Sequence, residues 1–340
     1  NAWSGLSAVS IEPLVDEKNI ANELKLKVKS EIVLEWVQGD TNMRIQSIWS
    51  EVSESDGYQR KVLIADDVSL VSSFRSGPRS FDDHYREQQK VRHLMTFMYG
   101  RQLFIRRHAL RDERFSFTLP SREDPIKPRI QLISSRTFAD SVRDVPSRDK
   151  LNDLLANFQM VGVGGMEVWS AEYEKWERFI LPSVNVLGRE GVFAEDVILS
   201  TAMSMEAAGE LIGECVGEEC LKGRGRNLPV SLCIFRCLRV LELELSSEFG
   251  GMVALSRAIA NTYNAIKHSS RGSFPDGREV TVVCDLSKLI VRLLALHVAK
   301  VDFDSCIRSY VSTALDKIIA KMAYWSMSID ENGKWCYQEE

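Results

Sequence analysis

Near Lys150 the hydrophobic period of the chain changes from two to a helical repeat, and that change limits what can be built on either side of it. Before it, Leu24-Lys25-Leu26-Lys27-Val28-Lys29 alternates apolar and charged residues, the pattern of a half-buried strand. Residues 31–37 and 45–49 are rich in β-branched and aromatic side chains, and 61–64 and 67–71 predict further strands between polar turns. Ser80 predicts a helix N-cap with Asp82 and Asp83 in the favourable first turn, opening a helix to about Tyr99 that stops at Gly100. This capping logic accounts for Asp82, Asp83 and His84 without a metal. Residues 102–109, 115–119 and 129–134 predict three more strands.

Pro120, Pro125, Pro128 and Pro146 then punctuate a charged stretch of the kind that separates domains. Beyond it, helices are predicted near 167–180, 194–216, 229–247, 251–269, 283–300 and 304–325, with short connections, as in an α-bundle. Leu286, Leu289, Ile290, Leu293, Leu294 and Leu296 supply a buried face, and His297, lying among them, is expected to be a packed core or interface histidine. Asp285 and Ser287 are expected to help open that helix after the turn Phe274-Pro275-Asp276-Gly277. The expected fold class is α+β: a β-rich N-terminal domain over 1–146, followed by an all-α bundle over 147–340. A chain of 340 residues is long enough for two cores.

Charge and cysteine usage exclude several function classes. A net charge of −5 and a pI near 5.7 argue against a protein that coats nucleic acid, so any RNA contact is expected in one local patch. The odd count of seven cysteines is not that of a disulfide scaffold and points to a reducing cytoplasm. Cys215 and Cys220, then Cys233 and Cys237, lack the two-residue gap of a zinc knuckle and are read as core cysteines rather than metal ligands. No run approaches the roughly 18 apolar residues of a membrane span, and the start lacks a signal-peptide pattern, so a cytoplasmic protein with no membrane partner is expected. Gly162-Val163-Gly164-Gly165 lacks a dinucleotide-loop offset and reads as a flexible connection. Lys222-Gly223-Arg224-Gly225-Arg226 reads as a solvated basic loop able to touch a nucleic-acid backbone.

The strongest candidate for chemistry is Tyr263-Asn264-Ala265-Ile266-Lys267-His268-Ser269-Ser270-Arg271-Gly272. At about 100° per residue, Arg257, Asn261, Asn264, His268 and Arg271 fall on one helical stripe, with Leu255, Ile259 and Ile266 elsewhere. Such a stripe is ordinarily a helix's solvated face. Two Asn, a His and two Arg are a poor choice for that task beside the usual Glu and Lys, and their donors suit a cleft that handles phosphate.

This segment resembles the HEPN domains (higher eukaryotes and prokaryotes nucleotide-binding), of the kind found in ApeA-like anti-phage proteins. Those domains carry an Arg, a polar residue and then a His on a late bundle helix. Asn264 matches the polar residue and His268 the histidine, while Tyr263 stands where the Arg is expected. Ile198-Leu199-Ser200-Thr201-Ala202-Met203-Ser204-Met205-Glu206 resembles the early bundle helix ending in an apolar residue and Glu. Residues 151–182, with Trp169 and Trp176, resemble the helical lead-in. Ser80-Phe81-Asp82-Asp83-His84 and the stretch from Val91 to Gly100 resemble the late part of an ApeA-type N-terminal domain.

The resemblance implies a metal-independent endoribonuclease of an abortive-infection system that needs no cofactor. Its partners would be RNA, tRNA included, a second copy in a homodimer or larger homo-oligomer, and a phage-protein trigger. His268, Asn264 and Arg271 would be catalytic. Lys267, Tyr263, Arg257 and Asn261 would contact substrate. A neutral imidazole, whose ordinary pKa is about 6.5, would take the 2′-hydroxyl proton. With Tyr263 in the Arg position, a second reading stands beside this one: a catalytically degenerate module that binds RNA, a nucleotide or a protein trigger and acts through assembly.

Overall fold

The computed structural model describes residues 9–15, 21–29, 31–55, 58, 60–101, 103–121, 124–134, 137, 154–189, 191–223, 228–243, 247–268, 273–303 and 305–337. Antiparallel sheets and α-helices are combined in an α+β chain. Strands β1 (Val9–Val15) and β2 (Ala21–Val28) form one hairpin. Strands β3 (Glu31–Gln38), β4 (Thr41–Ser55) and β5 (Arg60–Phe74) form a three-stranded sheet in that order. The separate strands predicted at 61–64 and 67–71 are one strand. β5 lies at the sheet's edge, where a polar residue of its middle such as the exposed Asp67 meets solvent without breaking the strand. Register sets Met43 against Trp36 and Ser72, and Trp36, Met43 and Ile45 are buried in the same core as the helices.

Helix α1 (Phe81–Tyr99) begins where the sequence placed it. The Ser80 hydroxyl accepts from the Asp83 N–H at 3.2 Å, and the Asp83 carboxylate accepts from the Ser80 N–H at 3.3 Å. Gly100 ends the helix at φ 68, a left-handed position that glycine occupies without strain. The next segment is less regular than predicted. Among the described residues there, β6 (His108–Leu110) pairs with β7 (Ile130–Leu132), beside a 3₁₀ turn at Glu113–Phe115 and a bridge from Phe117 to Ile126. The division expected at 146/147 lies outside the described residues.

The helical part comprises α2 (Phe158–Glu172), α3 (Glu177–Leu187), α4 (Ala194–Ile212), α5 (Val230–Val240), α6 (Gly251–Lys267), α7 (Gly277–Val298) and α8 (Ser305–Tyr324). The predicted helix at 167–180 is two helices. The first opens early because the Asn157 side chain accepts from the N–H groups of Gln159 and Met160. The glycines at 162–165 thus lie within α2, which is kinked at Gly162, rather than in a flexible connection. Asp276, not Asp285 or Ser287, opens α7: its carboxylate accepts from the Arg278 N–H at 2.8 Å. Asp285 instead pairs with Lys321 of α8, and Ser287 is buried.

Helix α7 is the centre of the bundle, and its six predicted core residues are all buried. His297, expected in the core or an interface, is exposed on its surface. Helix α1 packs along α7, and the seam is sealed by Arg292, whose Nε and Nη2 donate to the carbonyls of Phe97 and Met98 at 2.8 and 3.0 Å. These carbonyls in the last turn of α1 have no intrahelical partner, so a buried guanidinium of α7 completes another helix's end. A Cβ at Gly100 would lie 2.9 Å from the Arg292 Cζ, so the cap residue must also be small.

Cys233 and Cys237 are buried in α5, with the Cys237 thiol directed at the Met205 carbonyl of α4. Cys220 is exposed and Cys215 half-buried. Beside them Arg236 grips Glu218 through two bonds of 2.7 and 2.9 Å, and this guanidinium pulls the Glu218 carboxyl down to about 2. The chain then adds a feature that sequence reading missed, a hairpin of β8 (Met327–Ile329) and β9 (Trp335–Tyr337). Its signal was the Asn332-Gly333 dipeptide between two short apolar runs. No described helix is long and apolar enough to cross a membrane.

Candidate functional site

Helix α6 carries the predicted stripe, and the C-terminal hairpin decides what that stripe can do. Ala254, Leu255, Ala258, Ile259, Thr262 and Tyr263 turn into the core, which leaves Arg257, Asn261 and Asn264 on the outer side. The hairpin turn lies across the first two of these. Arg257 donates through Nη1 to the Glu331 carbonyl at 3.1 Å and through Nη2 to the Cys220 carbonyl at 3.2 Å. Asn261 Nδ2 donates to the Gly333 carbonyl at 3.1 Å, and Trp335 Nε1 donates to Thr262 Oγ1 at 3.2 Å. Gly333 has φ +76, and a Cβ there would come within 2.3 Å of the Arg257 Cβ. Only glycine lets the turn rest this closely on the helix.

The last turn of α6 is arranged differently. Tyr263 is 1 % exposed, and its hydroxyl accepts from the Lys267 ammonium at 2.7 Å, with that ammonium 5.0 Å from the ring centroid. The Asn264 carbonyl accepts from the His268 N–H at 2.9 Å. His268 itself is the residue after the helix, with φ −124 and ψ 99. The periodicity placed it within the helical stripe. Its extended backbone instead turns it off the cylinder at the helix end, where it is half-buried. Across from this turn, α4 brings Glu206 into electrostatic reach of Lys267; burial raises the Glu206 carboxyl, and the Lys267 charge partly offsets that rise. Arg271 lies outside the described residues, as do Arg224 and Arg226 of the basic loop.

The structure therefore brings Tyr263 to Lys267 by a side-chain bond, and Asn264 to His268 through the backbone. It commits Arg257 and Asn261 to the hairpin. Glu206, which the sequence offered only as the end of a family-like helix, joins the electrostatics of the same end. Among the described residues, no group of three or more His, Cys, Asp and Glu side chains is placed to hold a metal ion.

A second polar region was not singled out in the sequence. Arg92 and His93 of α1, the C-terminal half of α3 and the start of α4 border an open groove of about 1140 Å³. His93 Nδ1 lies 2.6 Å from the Tyr173 hydroxyl, with the rings stacked at 22°. Burial pushes His93 down to about 4 and raises the Tyr173 hydroxyl well above its ordinary value. Comparison of the chain with protein-family models, curated proteins and solved structures gives no match, so its geometry and its residues carry the functional reading.

Proposed function

We propose that this chain is a metal-independent endoribonuclease of the HEPN type acting in anti-phage defence, with an ApeA-like sensor domain over 1–146 and a HEPN bundle over 147–340. The observation that carries the reading is the last turn of α6, which sets Asn264, Lys267 and His268 at one helix end with Lys267 in electrostatic reach of Glu206. His268 acts as general base, taking the proton of a ribose 2′-hydroxyl. The freed oxygen attacks the adjacent phosphorus, the 5′-oxygen leaves and is protonated, and the products are a 2′,3′-cyclic phosphate and a 5′-hydroxyl end.

Asn264 positions the scissile group, and Lys267 with Arg271 supplies the positive charge that the phosphorane needs. Tyr263 holds Lys267 in place of the arginine expected there. Arg257 and Asn261 serve the site indirectly by fixing the hairpin against the helix. The working unit is a cytoplasmic homodimer, its substrate RNA with tRNA included, and its trigger a phage protein.

A second reading rests on one observation: the residue in the arginine position is a buried tyrosine whose hydroxyl engages the nearest lysine. On that reading the bundle is a degenerate module that binds RNA or a protein trigger and acts through assembly. Labelled tRNA and single-stranded RNA incubated with the protein in EDTA separate the two. Cleavage giving 2′,3′-cyclic ends, lost about 10²–10⁴-fold in His268→Ala with an unchanged melting temperature, supports the nuclease. No cleavage by the folded protein, with or without trigger, supports the binding module.

A further inference from the structure

The outer face of the β6–β7 hairpin carries a set of cations that the fold leaves uncommitted. Residues 101–134 hold eight Arg and Lys against four Asp and Glu, a local surplus in a chain of net charge −5. Exposure alternates along both strands with the period of two that a half-buried sheet requires. His108, Leu110, Ile130 and Leu132 are the less exposed set, and His108 packs on Phe81 and Tyr85 of α1. Arg107, Ala109 and Arg111 on one side of the hairpin and Arg129, Gln131 and Ile133 on the other are all exposed.

Register fixes how these six residues lie. His108 pairs with Leu132, Ala109 with Gln131 and Leu110 with Ile130. One step beyond each end of that ladder, the same register sets Arg111 across from Arg129 and Arg107 across from Ile133, with Cβ atoms of such partners about 5 Å apart. Arg107 and Arg111 stand about 13 Å apart along their strand. The face is thus a grid with two guanidinium groups at one end and one at the other. Ala109 and Gln131 cross its middle, where the small side chain leaves a shallow floor.

Two other cations of the hairpin are neutralised within it, Arg114 by Asp112 and Lys127 by Glu113. Among the described residues, Arg107, Arg111 and Arg129 have no carboxylate partner. Like charges set across from each other repel, and a ligand that supplies anionic groups relieves that repulsion. Three contacts are few for a nucleic acid, whose binding rests on many phosphate contacts and whose approach a net negative chain opposes. They suit a short run of carboxylates, each of which a guanidinium can hold through two parallel bonds. Ile133, 72 % exposed beside Arg107, adds an apolar contact of the kind that a peptide side chain covers.

We infer that this face docks an acidic segment of a partner protein, lying extended across the grid. One carboxylate meets Arg111 and Arg129, and a second meets Arg107. An extended chain covers about 13 Å in four residues, so the two acidic residues stand four positions apart. The amide of Gln131 serves the main chain between them.

Fluorescence anisotropy of the intact protein with a labelled peptide in which glutamate and threonine alternate tests this. Micromolar binding is expected at low salt, weakening as salt rises, and the same peptide with lysine in place of glutamate should not bind. Arg111→Glu combined with Arg129→Glu should weaken binding about tenfold or more, and Arg107→Glu should act in the same direction. These side chains are exposed, so the substitutions leave the core untouched, which circular dichroism checks. Lys317→Glu, on the exposed side of α8, should leave binding unchanged. His268→Ala should bind the peptide as the parent does, which separates failure of this surface from failure of the nuclease reading. Absence of binding by the glutamate peptide, or equal binding by the Arg111 and Arg129 double variant, would overturn the proposal. So would a single-stranded oligoribonucleotide that binds more tightly than the peptide and is lost in the same variant, which would make the face a nucleic-acid surface.

Discussion

The two halves of the α6 stripe share residue chemistry and differ in what lies over them. In the first half, Arg257 and Asn261 spend their donors on backbone carbonyls of the C-terminal hairpin and of Cys220. In the second, Asn264, Lys267 and His268 lie at the helix end, where Lys267 bonds Tyr263 and acts on the half-buried Glu206. A polar stripe therefore has no single meaning. Its function is decided by the tertiary neighbour that covers it, and here a hairpin of six paired residues draws the line.

Three substitutions break or sharpen this contrast. The largest effect belongs to the covered half: Trp335→Ala removes the aromatic that anchors the hairpin and donates to Thr262, and should cost about 3–5 kcal/mol in chemical denaturation. A loss under about 1 kcal/mol would mean that the hairpin contributes little and that the contrast is superficial. Asn261→Ala deletes one hydrogen bond at an exposed position and should cost about 0.5–1.5 kcal/mol, and on the proposed nuclease reading it should leave RNA cleavage intact. Cleavage abolished with unchanged stability would instead place Asn261 in the proposed catalytic half.

The smallest effect is electrostatic. Burial raises the Glu206 carboxyl above its value in the unfolded chain. As pH climbs through the unfolded value, the unfolded chain therefore sheds its proton first and is favoured. Glu206→Gln should accordingly raise the melting temperature slightly at pH 7, and the gain should fade toward pH 4. A variant less stable than the parent at pH 7 would show instead that the attraction to Lys267 outweighs burial.

Legibility in the sequence followed the range of the interactions. Helix α1 was readable to the residue because Ser80, Asp83 and Gly100 settle its ends within a few positions. The core face of α7 was readable from period alone. Its start was misjudged because Asp276 looked like part of a turn, when a turn aspartate and an N-cap use the same side-chain acceptor. The His268 stripe was half legible. Spacing put Arg257, Asn261 and Asn264 on one outer face, but the fate of Arg257 depends on Glu331, 74 positions later, and no local pattern carries that. The His93–Tyr173 pair, 80 positions apart, was invisible for the same reason.

The Arg292 seam bears on how this protein could be taken apart. A fragment beginning after residue 146 would keep the guanidinium at the centre of the bundle and lose the Phe97 and Met98 carbonyls that neutralise its burial. The same cut takes α1 off the face of α7 that it covers, so apolar surface of α7 meets water together with the guanidinium. The joint between α1 and α7 is thus made of buried hydrogen bonds as well as apolar surface, and a cut between them exposes both at once.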